Sequence, residues 1–503
     1  MRISICLIIL LCLNLNFSHA QLRGSNLLEY QLGNIPNQEP AFQSSLFDQL
    51  DLSYRYKNIG LDTRIEQYYP SFGEDIDYTE ISQFKFQYKT DMLEVEVGNL
   101  YTSFGRGLLL RTYEIPGSIW ETRGYRVRYG FYKDLLGGSV KLNYKNLSIK
   151  VLRGEVLDVT LPPTLSEDSD RRPDLVEGIE TSYRLGKQTV GAIYMRHHTE
   201  SQSIPDAEPG KFLSLYYDGY LFDLFSLYGE LAKKVGGDTE YFSFSDDEAY
   251  SGYVGLNFYI ANFGVSLEYK NYHNFSLGSG INDPPTLVKE HSYRLLNRST
   301  HVPILTDEQG YQAEIYYTFE NSSMLTFNTS RSMNEITEER QPVFEEYFLE
   351  YQFYPDENLS TKIFVDYSKD PFVNEDDRYS AGSYFDLTHE KLTSTLEFEW
   401  QYIDRVNDFE SVAFSNYYMS YTLAKPSLYS ASIVMELTYD PIQLEEGSSK
   451  NIYPSFVGTF RPNSKNIITL FAGKRRGGPA CNSGVCYNVL DFEGIELRLT
   501  TRF

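Results

Sequence analysis

The feature that most constrains this chain is a repeated pair of alternating segments joined by a tight turn. From Leu46 to Lys57 apolar and polar residues alternate, and the alternation resumes after a turn at Asn58. A period of two is typical of a β-strand with one apolar face and excludes an amphipathic helix. Further tight turns lie at Thr90-Asp91, Lys145-Asn146, Gly186-Lys187, Ala261-Asn262, Asn321-Ser322 and His389-Glu390. The pattern predicts a long series of antiparallel hairpins.

Long polar connections separate these hairpins. They cover residues 71–79, 157–177, 235–249, 274–310, 333–342, 370–378 and 440–451. Short turns at one end of the strands and long loops at the other are typical of an outer-membrane barrel. We therefore expect an all-β chain with one large antiparallel transmembrane β-barrel. It would have about 24 strands, within roughly 22–26, with short periplasmic turns and long extracellular loops.

The composition agrees with this fold and excludes two other classes of protein. The chain carries 45 basic and 69 acidic residues, a net charge of −24, which excludes a nucleic-acid-binding protein because phosphate requires a basic surface. Aromatic residues make up 15% of its 503 residues, which excludes a disordered chain. The 43 Tyr and 32 Phe suit the aromatic girdles of a membrane barrel.

The first 45 residues divide into two predicted segments. Arg2, an apolar run over residues 3–15 and the small-residue site Ser18-His19-Ala20 predict an export signal over residues 1–20. Residues 21–45 are expected to form a periplasmic or plug-like segment, followed by the barrel over residues 46–503. A segment of this length is too short for a folded plug domain, which disfavours an actively driven transporter. No later stretch is apolar for long enough to form a transmembrane helix.

The last nine residues alternate in the manner of a final barrel strand. Glu496, Arg498 and Arg502 share one face, and the apolar face carries Ile495, Leu497, Leu499 and Phe503. This strand resembles the recognition signal of bacterial outer-membrane barrels. The resemblance implies insertion by the barrel-assembly machinery, contact with outer-membrane lipid, and a location in the outer membrane of a Gram-negative bacterium.

Two further motifs strengthen this resemblance. Residues 98–111 read GNLYTSFGRGLLLR, and residues 481–486 read CNSGVC. Together with the Phe503 end they resemble an uncharacterised family of single-chain outer-membrane β-barrel proteins, which implies the fold but no activity. The glycines of residues 98–111 are not followed by the Lys-Ser or Lys-Thr of a phosphate loop. They predict a strand with Gly kinks or a segment lying in the lumen.

Cys481 and Cys486 are the cysteines that remain when the predicted signal is removed. Disulfides persist in exported proteins, so we expect these residues to close a loop tip as a disulfide, with a pair of free thiols as the alternative. No further cysteine or histidine accompanies them as a metal site would require.

No motif of an enzyme is present. His197 and His198 lie side by side and would fall on opposite faces of a strand, and neither a zinc-protease motif nor a nucleophile elbow occurs. We therefore expect no enzyme activity, no cofactor and no metal. Acidic clusters in the long loops leave open whether divalent cations bind there.

A set of basic residues is expected to face the lumen. The strand from Arg123 would place Tyr125, Val127, Tyr129 and Phe131 toward lipid. The predicted basic wall consists of Arg106, Arg111, Arg126, Arg128, Lys141 and Lys150. Rings of charge set the selectivity of pores. The alternative is ordinary cross-strand pairing of these residues with inward carboxylates.

The sequence favours a channel with porin-like transport of small solutes. The first alternative is a non-conducting scaffold or secretion partner whose lumen is filled by its own loops or by a periplasmic or lipoprotein partner. A barrel enzyme is the third and least favoured alternative. Residues 102–121 and 274–310 are long enough to fold inward. An open channel would leave Arg126 and Arg128 in water, whereas a filled lumen would bury them.

Overall fold

The structure is a computed structural model. It describes residues 21–34, 43–71, 76–121, 127–157, 171–199, 209–236, 248–275, 277–278, 280–283, 285, 287–302, 307–336, 340–406, 411–444, 447–482 and 485–503. The predicted signal over residues 1–20 lies outside these ranges. Within them, no helix has the length and apolar character needed to cross a membrane.

The main element is a 24-stranded antiparallel sheet. Its strands are β1 (Gln21–Asn34), β2 (Gln43–Tyr56), β3 (Ile59–Pro70), β4 (Tyr78–Lys89), β5 (Leu93–Leu100), β10 (Leu135–Tyr144), β11 (Leu147–Leu157), β12 (Arg171–Leu185), β13 (Gln188–Thr199), β14 (Gly210–Leu221), β15 (Phe225–Val235), β16 (Tyr250–Ile260), β17 (Phe263–His273), β18 (Glu308–Thr318), β19 (Met324–Asn334), β20 (Val343–Asp356), β21 (Leu359–Asp370), β22 (Glu375–His389), β23 (Leu392–Val406), β24 (Ser411–Lys425), β25 (Tyr429–Thr438), β26 (Asn451–Asn463), β27 (Asn466–Arg475) and β30 (Phe492–Arg502).

The sheet closes into a barrel because its last strand pairs with its first. Strand β30 bonds to β27 on one side and to β1 on the other, with Leu28 opposite Leu499. Strand β5 pairs directly with β10, across a long connection. Closure leaves no unpaired edge in the wall. The predicted all-β fold, a single large antiparallel barrel of about 24 strands, is confirmed.

Smaller elements lie in the connections. Three two-stranded sheets are formed by β6 (Ser103–Phe104) with β7 (Leu110–Arg111), by β8 (Tyr113–Glu121) with β9 (Arg128–Lys133), and by β28 (Gly478–Asn482) with β29 (Val485–Val489). Among the described residues, the helical elements are a short helix at Arg294–Arg298 and 3-10 turns at Pro371–Val373 and Pro441–Gln443.

Tight turns join the strands at one end of the barrel. In several two-residue turns the first residue has a positive φ, between 51° and 64°, which allows the chain to reverse with the twist of a hairpin. These first residues are Lys57, Lys145, Gly186, Ala261 and Glu390. The long connections, including residues 101–134 and 274–307, all leave from the opposite end. The barrel therefore has a short-turn end and a long-connection end, as the sequence predicts.

The two faces of each strand differ in the way a membrane barrel requires. In β21, Ile363 and Val365 point outward and are 44% and 54% exposed, whereas Phe364 and Asp366 point inward and are buried. In β2, Leu50 and Leu52 lie on the face opposite to the buried Phe47 and Gln49, as their alternation predicts. An apolar outer surface of this extent is unfavourable in water and is stabilised by lipid.

Two segments of the chain differ from what the sequence predicts. Residues 21–45 do not form a plug-like segment, since Gln21–Asn34 is a full strand of the wall that pairs with both β2 and β30. Residues 123–126 of the strand predicted from Arg123 lie outside the described residues, and the described part that follows is not a wall strand. Arg128–Lys133 belongs to the separate two-stranded sheet with β8.

The glycine-rich residues 98–111 mark the place where the chain leaves the wall. Gly98 has a φ of 116°, and a Cβ there would overlap the carbonyl oxygen of Phe84. Gly105 and Gly107 also have positive φ values, of 52° and 100°. Backbone of this kind favours glycine. Of the two predicted interpretations, the structure has the segment that turns into the lumen.

Candidate functional site: the filled half of the lumen

Two connections fold back into the barrel. We call residues 101–134, between β5 and β10, insert 1, and residues 274–307, between β17 and β18, insert 2. Their described side chains contact inward-facing residues of strands on both sides of the barrel. The lumen is therefore where these two long connections meet each other and the wall, which makes it the candidate functional site.

Apolar packing holds the first part of insert 1. Phe104 is fully buried and its ring lies against Gly178 of β12, where a Cβ would overlap it. The next apolar side chains join a cluster with residues of the wall and of insert 2. This cluster includes Leu108, Leu109, Leu110, Leu135, Val176, Met195, Phe212, Phe275, Ile281 and Leu287. Burial of this much apolar surface favours a fixed position for this part of the insert.

The second part of insert 1 is the β8–β9 hairpin. Val127 and Tyr129 pack against Phe47 and Tyr68, which are inward residues of β2 and β3. The amide of Gly130 donates to Glu66 Oε2 at 3.0 Å. Val127 and Tyr129 were predicted to face lipid, and that prediction is wrong. Their apolar partners are inside the barrel.

A buried charge network joins this hairpin to the wall. The guanidinium of Arg128 pairs with the carboxylate of Glu29 in β1, and both side chains are nearly inaccessible to water. Glu29 also pairs with Arg498 of β30. The other strand of the hairpin, β8, is held by Arg64 of β3, which contacts Glu114 at 2.5 Å. Buried ion pairs of this kind require each charge to keep its partner.

Inserts 1 and 2 also contact each other. The amide of Arg111 donates to the carbonyl of Ile281 at 2.9 Å, and Asn282 Nδ2 donates to the carbonyl of Leu108 at 3.4 Å. The Arg111 guanidinium lies 3.8 Å from Asp283 Oδ2. Burial raises the pKa of the Asp283 carboxyl, and Arg111 opposes that rise. The two inserts are therefore joined within the lumen where residues 108–111 meet residues 281–283.

Insert 2 docks on the other side of the wall through its short helix. The carboxylate of Glu399 in β23 accepts the amides of Arg294 and Leu295, at 2.8 and 2.7 Å. The Tyr293 ring stacks on Phe364 with centroids 3.9 Å apart. A carboxylate on the free amides at the start of a helix is a favourable arrangement.

The far end of the helix is held by charge as well. Arg298 Nη1 lies 2.7 Å from Glu436 Oε1 of β25, and Arg298 Nη2 donates to the carbonyl of Arg476 at 2.8 Å. The side chain of Asn297 both donates to and accepts from the backbone of Cys481, at 3.0 and 3.1 Å. The hairpin of β28 and β29 thereby rests on insert 2. It places Cys481 directly opposite Cys486, as a disulfide would require.

One buried group of insert 2 has the composition of a metal site. His291 lies beside Glu346 of β20 and Asp366 of β21, and one potential ligand atom from each residue lies within 4.8 Å of the others. His291 Nε2 is 3.2 Å from Glu346 Oε1. Arg378 of β22 lies beside the same two carboxylates, at 3.6 and 3.9 Å.

The filling of the lumen is uneven along its axis. In β20 the inward residues Phe344, Glu346 and Phe348 are buried near the long-connection end, whereas Glu350 and Gln352 nearer the short turns are half-buried. In β2 the same change occurs between Gln49 and the residues that follow it. The inserts therefore fill the long-connection half and leave the other half more open.

The basic residues predicted to line the lumen do not together form a wall of the barrel. Arg106, Arg111 and Arg128 all lie on insert 1 rather than on barrel strands. Arg106 stacks over the Tyr228 ring at 4.0 Å. Arg126 lies outside the described residues. Among the described members of the predicted set, two belong to strands of the barrel wall. Lys141 is exposed in the lumen and Lys150 pairs with Glu180 at 3.1 Å.

The sequence did not indicate the carboxylates that hold the inserts. In the sequence, Glu29, Glu399 and Glu436 are ordinary inward residues of alternating strands. Nothing distinguishes them from inward glutamates that lie in water. A signal for them exists only in the length of residues 102–121 and 274–310, which predicts inward folding but not its contacts.

One solved structure confirms the barrel fold. The translocation pore of the P pilus usher PapC superposes with a TM-score of 0.50 at 10% identity, covering 96% of this chain and 99% of that one. OccK3 (OpdO) of Pseudomonas aeruginosa covers 73% of this chain and 96% of its own, with 13% identity and a TM-score of 0.40. OccAB3 of Acinetobacter baumannii gives 13% identity, 70% and 94% coverage, and a TM-score of 0.38.

At these identities the usher superposition shows a shared barrel fold and nothing about activity. No curated protein sequence matches the chain. A family model matches residues 31–503, which is nearly the whole barrel, and its description is a family of unknown function. The chain belongs to this family, DUF6029.

Proposed function

We propose that this protein is an outer-membrane channel for small polar solutes whose lumen is closed by its own inserts, and that insert 2 must move for solutes to pass. The observation that carries the proposal is the meeting of both inserts in the long-connection half of a wide, polar barrel. A barrel of 16–18 strands already encloses an aqueous channel, so 24 strands leave ample room once an insert withdraws.

The outer surface supports the membrane location. Large apolar side chains point outward from strands around the barrel, including Leu61, Val140, Leu215, Ile315 and Leu497. A closed barrel satisfies all of its backbone groups within the wall, which a lipid environment requires. Both features support placement in the outer membrane of a Gram-negative bacterium.

Insert 2 is the better candidate for the moving part. Charged groups make many of the contacts around its helix, such as those of Glu399 with two amides and of Arg298 with Glu436. Water can replace contacts of this kind when a segment leaves its site. The apolar cluster of the helix, formed by Tyr293 and Leu296 with Phe348 and Phe364, is smaller than the cluster around Phe104. Phe104 and the leucines of insert 1, by contrast, would lose their apolar packing.

Solute uptake by proteoliposomes tests the proposal. The wild-type protein is compared with a variant in which a short Gly-Ser linker replaces residues 288–302. The matched control replaces residues 447–450, which lie in another long connection, with the same kind of linker. We expect slow uptake of small sugars by wild type and control, and fast uptake by the insert 2 variant. Equal, slow uptake by all three folded proteins would overturn the channel.

Passage of a polypeptide is a second candidate, favoured by the width of the barrel. The usher with which the chain shares its fold is described as a translocation pore. The same proteoliposomes separate the two candidates if the solutes are graded in size. A cut-off at small sugars in the insert 2 variant supports solute transport. Uptake of large dextrans supports passage of a polymer.

A further inference from the structure

We propose that His291, Glu346 and Asp366 form a binding site for a divalent transition-metal ion, with Zn²⁺ as the expected ion. The site would tie insert 2 to the barrel wall. It depends on the docking of insert 2 and not on the solute that the channel carries. The proposal therefore stands or falls separately from the proposed function.

The three side chains converge from separate parts of the chain. Glu346 and Asp366 point inward from adjacent strands β20 and β21, where Glu346 lies opposite Ser368 and Asp366 lies opposite Phe348. His291 reaches them from insert 2, with its ring 4.6 Å from that of Phe348. One ligand atom from each of the three residues lies within 4.8 Å of the others. A small inward movement would bring them to a common ion.

Their polar atoms lack other partners. His291, Glu346 and Asp366 are 3%, 1% and 4% exposed. Among the described residues, neither nitrogen of His291, neither oxygen of Asp366 and not Oε2 of Glu346 has a hydrogen-bond partner. Buried polar groups nearly always have hydrogen-bond partners, and a site that binds an ion is one of the established reasons for an exception. Five such atoms lie in one place, beside the Nε and Nη2 of Arg378, which also lack a hydrogen-bond partner, and this concentration points to a ligand.

The local charge also favours a dication. Glu346, Asp366 and Glu375 surround a single guanidinium, that of Arg378. The next ammonium, that of Lys289, pairs with Glu314. With all three carboxylates ionised, they and the one guanidinium carry an excess of two negative charges in a region shielded from water, where uncompensated charge is strongly unfavourable. One divalent ion removes this excess.

The donor set selects the class of ion. One imidazole and two carboxylates suit Zn²⁺ and its neighbours in the first transition row, whereas Ca²⁺ and Mg²⁺ prefer oxygen ligands alone. Three protein ligands leave a position of a tetrahedral ion for water. The Arg378 guanidinium is the competing cation, and it is also engaged by the carbonyl of Ser299 at 2.7 Å.

The test begins with metal analysis of the folded barrel. Wild-type protein is stripped with a chelator, reloaded with Zn²⁺, and analysed by mass spectrometry for bound metal and by calorimetry for affinity. Hydrogen exchange over residues 288–302 is then measured with and without Zn²⁺. We expect stoichiometric binding and slower exchange in the presence of the ion. Heat-modifiable migration in gels verifies that each variant is folded.

Three variants probe the ligands, and a fourth variant serves as the control. His291→Asn, Glu346→Gln and Asp366→Asn should each lose stoichiometric Zn²⁺ and the protection that it gives. His301→Asn is the matched control, because His301 is also a buried histidine of insert 2 that pairs with a carboxylate, that of Asp370, at 2.9 Å. It should bind Zn²⁺ like wild type.

Two results would overturn the metal site. Wild-type protein that takes up no Zn²⁺ above background would show that the group is an ion-pair network around Arg378. Equal binding by all three ligand variants and by His301→Asn would show an adventitious ion elsewhere. A wild-type protein that binds Zn²⁺, together with an insert 2 variant that takes up no more solute than wild type, would contradict the proposed function alone.

Discussion

The guanidinium of Arg128 and the carboxylate of Glu29 form an ion pair that is shielded from water, although 99 residues separate them in the chain. Arg128 belongs to insert 1 and Glu29 to the first strand of the wall. An open channel would leave Arg128 solvated. Its burial therefore distinguishes a lumen filled by the chain itself from a simple pore.

The two partners of this pair are not equivalent, which leads to a first prediction. Glu29 serves both Arg128 and Arg498, so Glu29→Gln leaves two cations without their carboxylate. Arg128→Met leaves Glu29 still paired with Arg498. Breaking a buried pair from one side costs about 3–5 kcal/mol. We expect Glu29→Gln to loosen insert 1 strongly and Arg128→Met to loosen it less.

Hydrogen exchange of the amides in residues 128–133 measures this loosening. The double variant Glu29→Gln/Arg128→Met should exchange more slowly than Glu29→Gln alone, because it removes one of the stranded cations. Faster exchange in Arg128→Met than in Glu29→Gln would show that the pair does not hold the insert as described.

A second prediction concerns the contact of Phe104 with Gly178. A methyl group at Gly178 would overlap the Phe104 ring, so Gly178→Ala should displace the first part of insert 1. Overpacking of this kind typically costs roughly 1–3 kcal/mol, and here we expect it to reduce the docking free energy of insert 1. Exchange over residues 104–111 should accelerate accordingly. Gly229→Ala is the control, since the nearest atom to a Cβ there is 4.0 Å away.

The contact between the inserts should depend on pH. Because burial raises the pKa of Asp283, the docked state holds this proton more tightly than the free chain does. Docking is therefore most stable below the usual pKa of an aspartate and weakens as the pH rises toward the raised value. Exchange of residues 280–283 should accelerate over that range. Asp283→Asn should flatten the dependence, and an unchanged profile would contradict this assignment.

A fourth prediction concerns Cys481 and Cys486, which lie opposite each other in the β28–β29 hairpin. We expect protein purified without reductant to contain this disulfide, detected as a mass lower by two hydrogens that reduction restores. Closing so small a loop stabilises the hairpin by about 2 kcal/mol in the chain-entropy model. Cys481→Ser should therefore loosen the contact with Asn297. Free thiols in the unreduced protein would refute the pairing.

Alternation predicted the wall well because lipid and lumen impose opposite demands on successive residues. It failed at Gln21–Asn34, whose outward positions include Gly24 and Asn26 where apolar residues are expected. Asn26 compensates by donating to the outward Asp48 of β2 at 2.5 Å. Leu22, Tyr30 and Leu32 are apolar and point outward, so the alternation is present but interrupted, and backbone pairing on both sides holds the strand.

The failure at Val127 and Tyr129 has a different cause. A hairpin with one apolar face alternates in the same way whether that face meets lipid or meets Phe47 and Tyr68 inside the barrel. Sequence alternation reports an apolar neighbour but not its identity. Alternation also could not predict the group around His291, because its partners Glu346 and Asp366 lie far along the chain.

Single-channel conductance in a planar bilayer tests the central claim, that the inserts close the lumen. Refolded wild-type protein is compared with the variant that lacks residues 288–302 and with the 447–450 control. We predict a mostly closed wild type and control, and steady nanosiemens-scale conductance in the insert 2 variant. Steady conductance of that size in the wild type would contradict the account, because its lumen would then be open with both inserts present.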